Sequence, residues 1–95
     1  MFHLSVLIQV NEAEKVPRVA AALSRMRPIC LAEPGCIGWE ALQLLAAPSR
    51  FILVEQWSTR DAWEAHGDGS AIQEIYLPEV FPWITREVHP CRRLE

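Results

Sequence analysis

The sequence predicts an α+β fold of the ferredoxin-like type, a βαββαβ order that closes into a four-stranded antiparallel sheet with helices on one face. Three observations predict it. Residues 2–10 alternate in polarity with the two-residue period of a strand, and residues 16–32 carry apolar positions at helical spacing. Two further apolar runs flank the turn Ala46-Ala47-Pro48-Ser49, followed by a short helix and one last strand. Right-handed crossovers and paired neighbours then leave few arrangements for six elements.

The first strand sets Phe2, Leu4, Val6, Ile8 and Val10 against His3, Ser5, Leu7 and Gln9. Its second face is mixed rather than charged, which predicts partial cover on both sides. The first helix buries the stripe Val16, Val19, Leu23, Met26 and Cys30, with Pro17 at its first position and a kink expected at Pro28. Glu33-Pro34-Gly35 stops it, and Gly35 is free to take positive φ. Cys36–Leu45 reads as the second strand, with Ile37, Trp39 and Ala41 on one face, although its Ala/Leu-rich half also suits a helix. Phe51–Trp57 is the third strand. Ser58, with Asp61 three residues on, reads as the cap of a helix over Thr59–His66 that ends at Gly67. Asp68-Gly69-Ser70 caps another short helix with Ile72, Ile75 and Tyr76 on one side, and Pro78 and Pro82 break up the stretch after it. The final strand, near Arg86–Arg93, contains Pro90 and therefore belongs at a sheet edge.

Ninety-five residues make one domain, 1–95, and bury roughly 60–70% of the unfolded surface. A hydrophobic fraction of 51% exceeds what so small a core hides easily, so the surplus points to an oligomer interface or a ligand cavity. A net charge of −3 offers nothing to nucleic acid or an anionic membrane. Cys30, Cys36 and Cys91 cannot all pair within one chain and show no zinc-type spacing; a reduced, cytoplasmic setting and no metal are the expectations. The apolar start MFHLSVLIQV is too short to span a bilayer and lacks the marks of a signal peptide.

The stretch Phe51–His66 joins a strand to a helix and carries Trp57, Trp63 and His66. Trp63 and His66 stand at i and i+3 and project to one side of that helix, with Ala62 leaving room beside the imidazole. In a functional reading His66 is a general base and the two Trp residues wall a pocket for a flat substrate. In a structural reading His66 sits favourably at the C-terminus of the helix dipole and both Trp residues are core. Tyr76 is either a hydrogen-bonding group toward substrate or a core ring with its hydroxyl at the surface. Trp39 lines either the cavity or an interface. Phe81, with Trp83 in the Pro-broken segment, is a candidate lid residue.

EPGC at Glu33–Cys36, the strand end EQWS at Glu55–Ser58 and AWEAH at Ala62–His66 together resemble the antibiotic biosynthesis monooxygenase (ABM) family. The resemblance runs through nearly the whole chain in order and spacing. It implies a dimeric α/β barrel, a homodimer whose sheets face each other, with a substrate cavity between helices and sheet in each subunit. It also implies activity on O₂ and phenols or quinols without metal, flavin or haem, while other members degrade haem or act on small signalling metabolites. His66 falls on the histidine that recurs in the family's helix; the second histidine of many members has its place near Ser70–Ala71. The Asn, Trp and His used by haem-degrading relatives correspond to Val6, His66 and Tyr76, so the haem chemistry loses its residues here.

The leading expectation is a cofactor-independent monooxygenase or oxidase of a small phenolic, quinol or polycyclic aromatic compound. His66 is its base, and Trp57, Trp63, Tyr76, Trp39 and Phe81 are its substrate contacts. The rivals are a non-catalytic dimeric module for a small hydrophobic metabolite and an isomerase or metabolite-clearing enzyme on the same scaffold.

Overall fold

A computed structural model describes all 95 residues. The strands are β1 (Phe2–Val10), β2 (Cys36–Gln43), β3 (Arg50–Trp57) and β4 (Ile84–Cys91), with helices α1 (Val16–Leu31) and α2 (Arg60–His66) between them. After α2, a π-helical turn over Ala71–Tyr76 runs into α3 (Leu77–Glu79), and a 3₁₀ turn at Phe81–Trp83 delivers the chain to β4. The four strands form one antiparallel sheet in the order β2-β3-β1-β4. This is the ferredoxin-like arrangement, with β4 and its Pro90 at an edge.

The helix face of the sheet carries the core. Leu4, Val6, Ile8 and Val10 of β1, and Phe51, Leu53 and Trp57 of β3, are buried there against Val19, Ala22, Leu23, Met26 and Cys30 of α1. The opposite face is left half open, with Leu7, Leu42 and Val54 each 39–48% exposed.

Several local expectations are corrected. Ile37 does not share a face with Trp39. Cys36 pairs with Trp57 and Gly38 with Gln56, so Ile37 is the extra residue of a β-bulge and turns outward to 48% exposure. β2 ends at Gln43 rather than Leu45, and β4 begins two residues earlier than Arg86. Pro17 is the second helical residue, preceded by a 3₁₀ turn at Ala13–Lys15. α1 continues unbroken past Pro28 to Leu31. Pro28 and Ser24 both lie on its exposed side, so the carbonyl that Pro28 cannot serve is on the solvent side of the helix. The cap of α2 is Thr59, whose Oγ1 accepts from the Ala62 N–H at 3.1 Å, and not Ser58. Ser58 instead donates its backbone N–H to the Gly35 carbonyl at 2.7 Å, tying α2 to the loop before β2.

Candidate active site

That tie positions the chemistry. Gly35 adopts φ +81°, and a Cβ on it would stand 2.6 Å from Ala62 Cβ and 2.8 Å from Ser58 Oγ. Only glycine combines this conformation with so close an approach. The loop therefore packs directly on α2, and Glu33 reaches His66: Nδ1 and Oε1 are 2.7 Å apart. His66 is 5% exposed, and the indole of Trp57 lies against its ring at 4.7 Å between centroids. With Nδ1–H donated to the Glu33 carboxylate, the neutral imidazole carries its lone pair on Nε2, which has no partner within the chain.

His66 lines a cavity of about 220 Å³ between the sheet and the helices, together with Trp63, Tyr76, Trp39, Glu55 and Arg86. Most of the remaining wall is aliphatic. Glu55 is the unexpected member. It occupies the buried face of β3 in line with Phe51, Leu53 and Trp57 and is 4% exposed. Its Oε1 accepts from Trp57 Nε1 at 3.0 Å. Burial pushes its carboxyl pKa above the ordinary value, opposed by the Trp57 hydrogen bond, by His66 when its ring is protonated, and by the charge of Arg86. Tyr76 accepts a hydrogen bond on its hydroxyl from Arg86 Nη1 at 3.2 Å, and burial raises its phenol pKa. Trp39 Nε1 and Glu33 Oε2 are buried without a hydrogen-bond partner.

Four of the six residues singled out in the sequence thus meet around one cavity: His66, Trp63, Tyr76 and Trp39. Two do not line it. Trp57 is fully buried behind His66, where it backs the imidazole and donates to Glu55. Phe81 is 45% exposed and packs beside Tyr76 and the guanidinium of Arg86. Glu33, Glu55 and Arg86 are the residues that sequence reasoning passed over. For Glu55 a signal existed, a carboxylate in an otherwise apolar alternation. Glu33 lies 33 positions from His66, and only the fold joins them.

Sequence spacing shows no zinc pattern, yet the fold gathers Cys30, Glu33 and His66 with their ligand atoms within 4.8 Å of one another. Burial and the nearby carboxylates push the Cys30 thiol well up, so it keeps its proton at neutral pH. Glu33 and His66 Nδ1 already satisfy each other. The set is better matched as a hydrogen-bonded dyad beside a thiol than as a metal centre. A larger depression, about 460 Å³, lies toward the end of the sheet near Gln9, Arg50 and Thr85 and does not include His66.

The profile of the antibiotic biosynthesis monooxygenase family matches residues 1–76. The chain belongs to the ABM family. Among solved structures, an antibiotic biosynthesis monooxygenase superposes on this ABM chain with a TM-score of 0.90 at 15% identity, covering all of both chains. Rv0793 from Mycobacterium tuberculosis gives 0.84 at 15% identity, covering 100% of this chain and 97% of its own. A conserved protein from Methanosarcina mazei Go1 gives 0.81 at 22% identity, covering 99% and 95%. At such identities the likeness speaks for the fold. No curated protein matches the sequence.

Proposed function

We propose that this ABM domain is a cofactor-independent monooxygenase or oxidase of a small phenol or quinol, with His66 as general base. The observation that carries this reading is the pairing of His66 Nδ1 with Glu33, which leaves Nε2 unpartnered on a cavity walled by Trp63, Trp39 and Tyr76. An imidazole held in one tautomer accepts a phenolic proton and leaves an electron-rich phenolate in a largely apolar site. In the oxidase form the quinol then gives two electrons and two protons to O₂, yielding quinone and hydrogen peroxide. Trp63 and Trp39 offer flat faces for the ring, and Tyr76 with Arg86 offers polar contacts to a substrate oxygen.

Size narrows the substrate. Pockets for drug-sized ligands run to about 300–1,000 Å³, whereas this cavity is about 220 Å³. One- and two-ring compounds suit it, and a polycyclic substrate requires the wall to open. Oxygen uptake with a panel of quinols and naphthols, on protein treated to remove metal and flavin, tests the reading. Wild type is expected to consume oxygen, and His66→Ala to lose at least about 10²-fold. Equal rates would remove His66 from the chemistry. Saturable binding with no oxygen consumed by any compound would make the chain a binding module instead.

A further inference from the structure

Glu55 is the titratable group that the oxygenase reading does not use. It projects from the central strand β3 into the same cavity as His66, and its register neighbours are Leu4 on β1 and Trp39 on β2. One indole touches both groups: Trp57 donates Nε1–H to Glu55 Oε1 at 3.0 Å and lays its ring against His66 at 4.7 Å. Glu55 and His66 therefore share Trp57 as a neighbour, and both line the cavity. Glu55 Oε2 makes no hydrogen bond within the chain, and neither it nor His66 Nε2 is among the sealed, partnerless atoms. Each is an unpartnered polar atom on a residue that lines the cavity.

We propose that Glu55 is the proton donor of an acid–base pair with His66 and that the pair equips the cavity to enolise a small carbonyl compound. His66 Nε2 takes a proton from the carbon beside the carbonyl. The C–H electron pair becomes the C=C bond, and the carbonyl π pair takes the proton from Glu55 Oε2–H, giving the enol, a histidinium and a carboxylate. Return of the proton to the same carbon, with the enol O–H proton going back to Glu55, exchanges that hydrogen with solvent. With an α-hydroxy carbonyl compound the intermediate is an enediol; the histidinium then protonates the former carbonyl carbon, the neighbouring hydroxyl gives its proton to the Glu55 carboxylate, and the isomeric carbonyl forms. No electrons leave the substrate, so no oxidant is required. The inference rests on the reading of the cavity as a substrate site with His66 as base.

The environment suits a donor. A carboxyl in an apolar wall keeps its proton more readily than one in water, and burial is the largest influence on Glu55. The titratable and charged groups around it are His66 on α2, Glu33 and Cys36 at the entry to β2, Cys30 on α1, Arg86 on β4 and Tyr76 in the π-helical turn. Desolvation and Glu33 hold the proton on, while the Trp57 hydrogen bond, Arg86 and, once it is protonated, His66 favour the carboxylate. The Trp57 N–H occupies Oε1 and leaves Oε2 as the oxygen that can carry and deliver the proton.

The test is hydrogen exchange at the acidic carbon of 2-tetralone in D₂O, followed by proton NMR under argon with the full chain. Binding of 2-tetralone is followed in parallel by tryptophan fluorescence. Wild type is expected to exchange the proton faster than buffer. Glu55→Gln, isosteric but unable to deliver a carboxyl proton, is expected to slow exchange by about 10²-fold while still binding the ketone, and Glu55→Asp to recover part of the rate. Exchange in Glu55→Gln equal to wild type would overturn the assignment and leave His66 as base intact. Loss of binding together with exchange would make Glu55 a structural residue and also overturn it, as would no exchange by wild type. Oxygen uptake with quinols is a separate readout, so failure of the oxygenase reading is recognised independently.

Discussion

His66 is almost wholly buried, and its Nδ1 is served only by Glu33 at 2.7 Å. A buried ring N–H without an acceptor costs about 1–3 kcal/mol. Glu33→Ala is therefore expected to lower unfolding free energy by about that amount in urea titrations, and Glu33→Gln, whose amide oxygen still accepts, by less. Glu55 gives a pH signature of its own. Its carboxyl pKa is raised by folding above the ordinary 4.5, so the folded state holds the proton more tightly than the unfolded chain. Between those two pKa values folding takes up a proton, and stability falls as pH rises. The contribution is full below the unfolded pKa and is lost as pH climbs through the folded one. Glu55→Gln carries no such titration. Its stability relative to wild type is expected to improve as pH is raised from about 4, and a difference independent of pH would contradict the raised pKa.

At the scale of elements, the contact between α2 and the loop before β2 governs whether the dyad exists. It depends on Gly35, whose left-handed backbone and clearance of Ala62 exclude a side chain. Left-handed geometry alone costs an L-residue about 1–2 kcal/mol, and the 2.6 Å approach to Ala62 Cβ adds displacement to that strain. Gly35→Ala is expected to destabilise by more than about 2 kcal/mol in denaturant titration and to reduce ligand binding, because Glu33 and α2 move apart. Gly38, which has open space around its Cα, serves as control, with Gly38→Ala expected to change little. Pro28 shows the complementary case. A helix breaker on the solvent side of α1 leaves its unserved carbonyl on that side, and the buried stripe on the opposite side continues to Cys30.

For the whole molecule, the unfilled requirement is cover for the outer sheet face. Leu7, Leu42 and Val54 expose 39–48% of their surface there, and Ile37 joins them through the bulge. A second copy of the chain is the partner expected for this face. Sedimentation at micromolar concentration is expected to give twice the chain mass of 10.8 kDa, and the pair Leu7→Lys with Val54→Lys to return the monomer mass. No helix is long and apolar enough to cross a membrane. All three cysteines are free.

The sequence by itself determined the element order, the buried stripe of α1, the two alternating faces of β1 and the edge position of β4. These come from local periodicity and from the geometry of proline, which need no knowledge of distant residues. It also marked His66, Trp63, Tyr76 and Trp39, because aromatic and titratable side chains at helical or strand spacing share a side. Pairings between residues remote in sequence were decided by tertiary structure. The bulge at Ile37 came from strand register, and the place of Trp57 behind the cavity from packing depth. Glu33 became the partner of His66 because a glycine turn brings a loop onto a helix. The Glu55 carboxyl has a raised pKa because the fold removed water from around it, and desolvation is a property of the assembled interior rather than of any one residue.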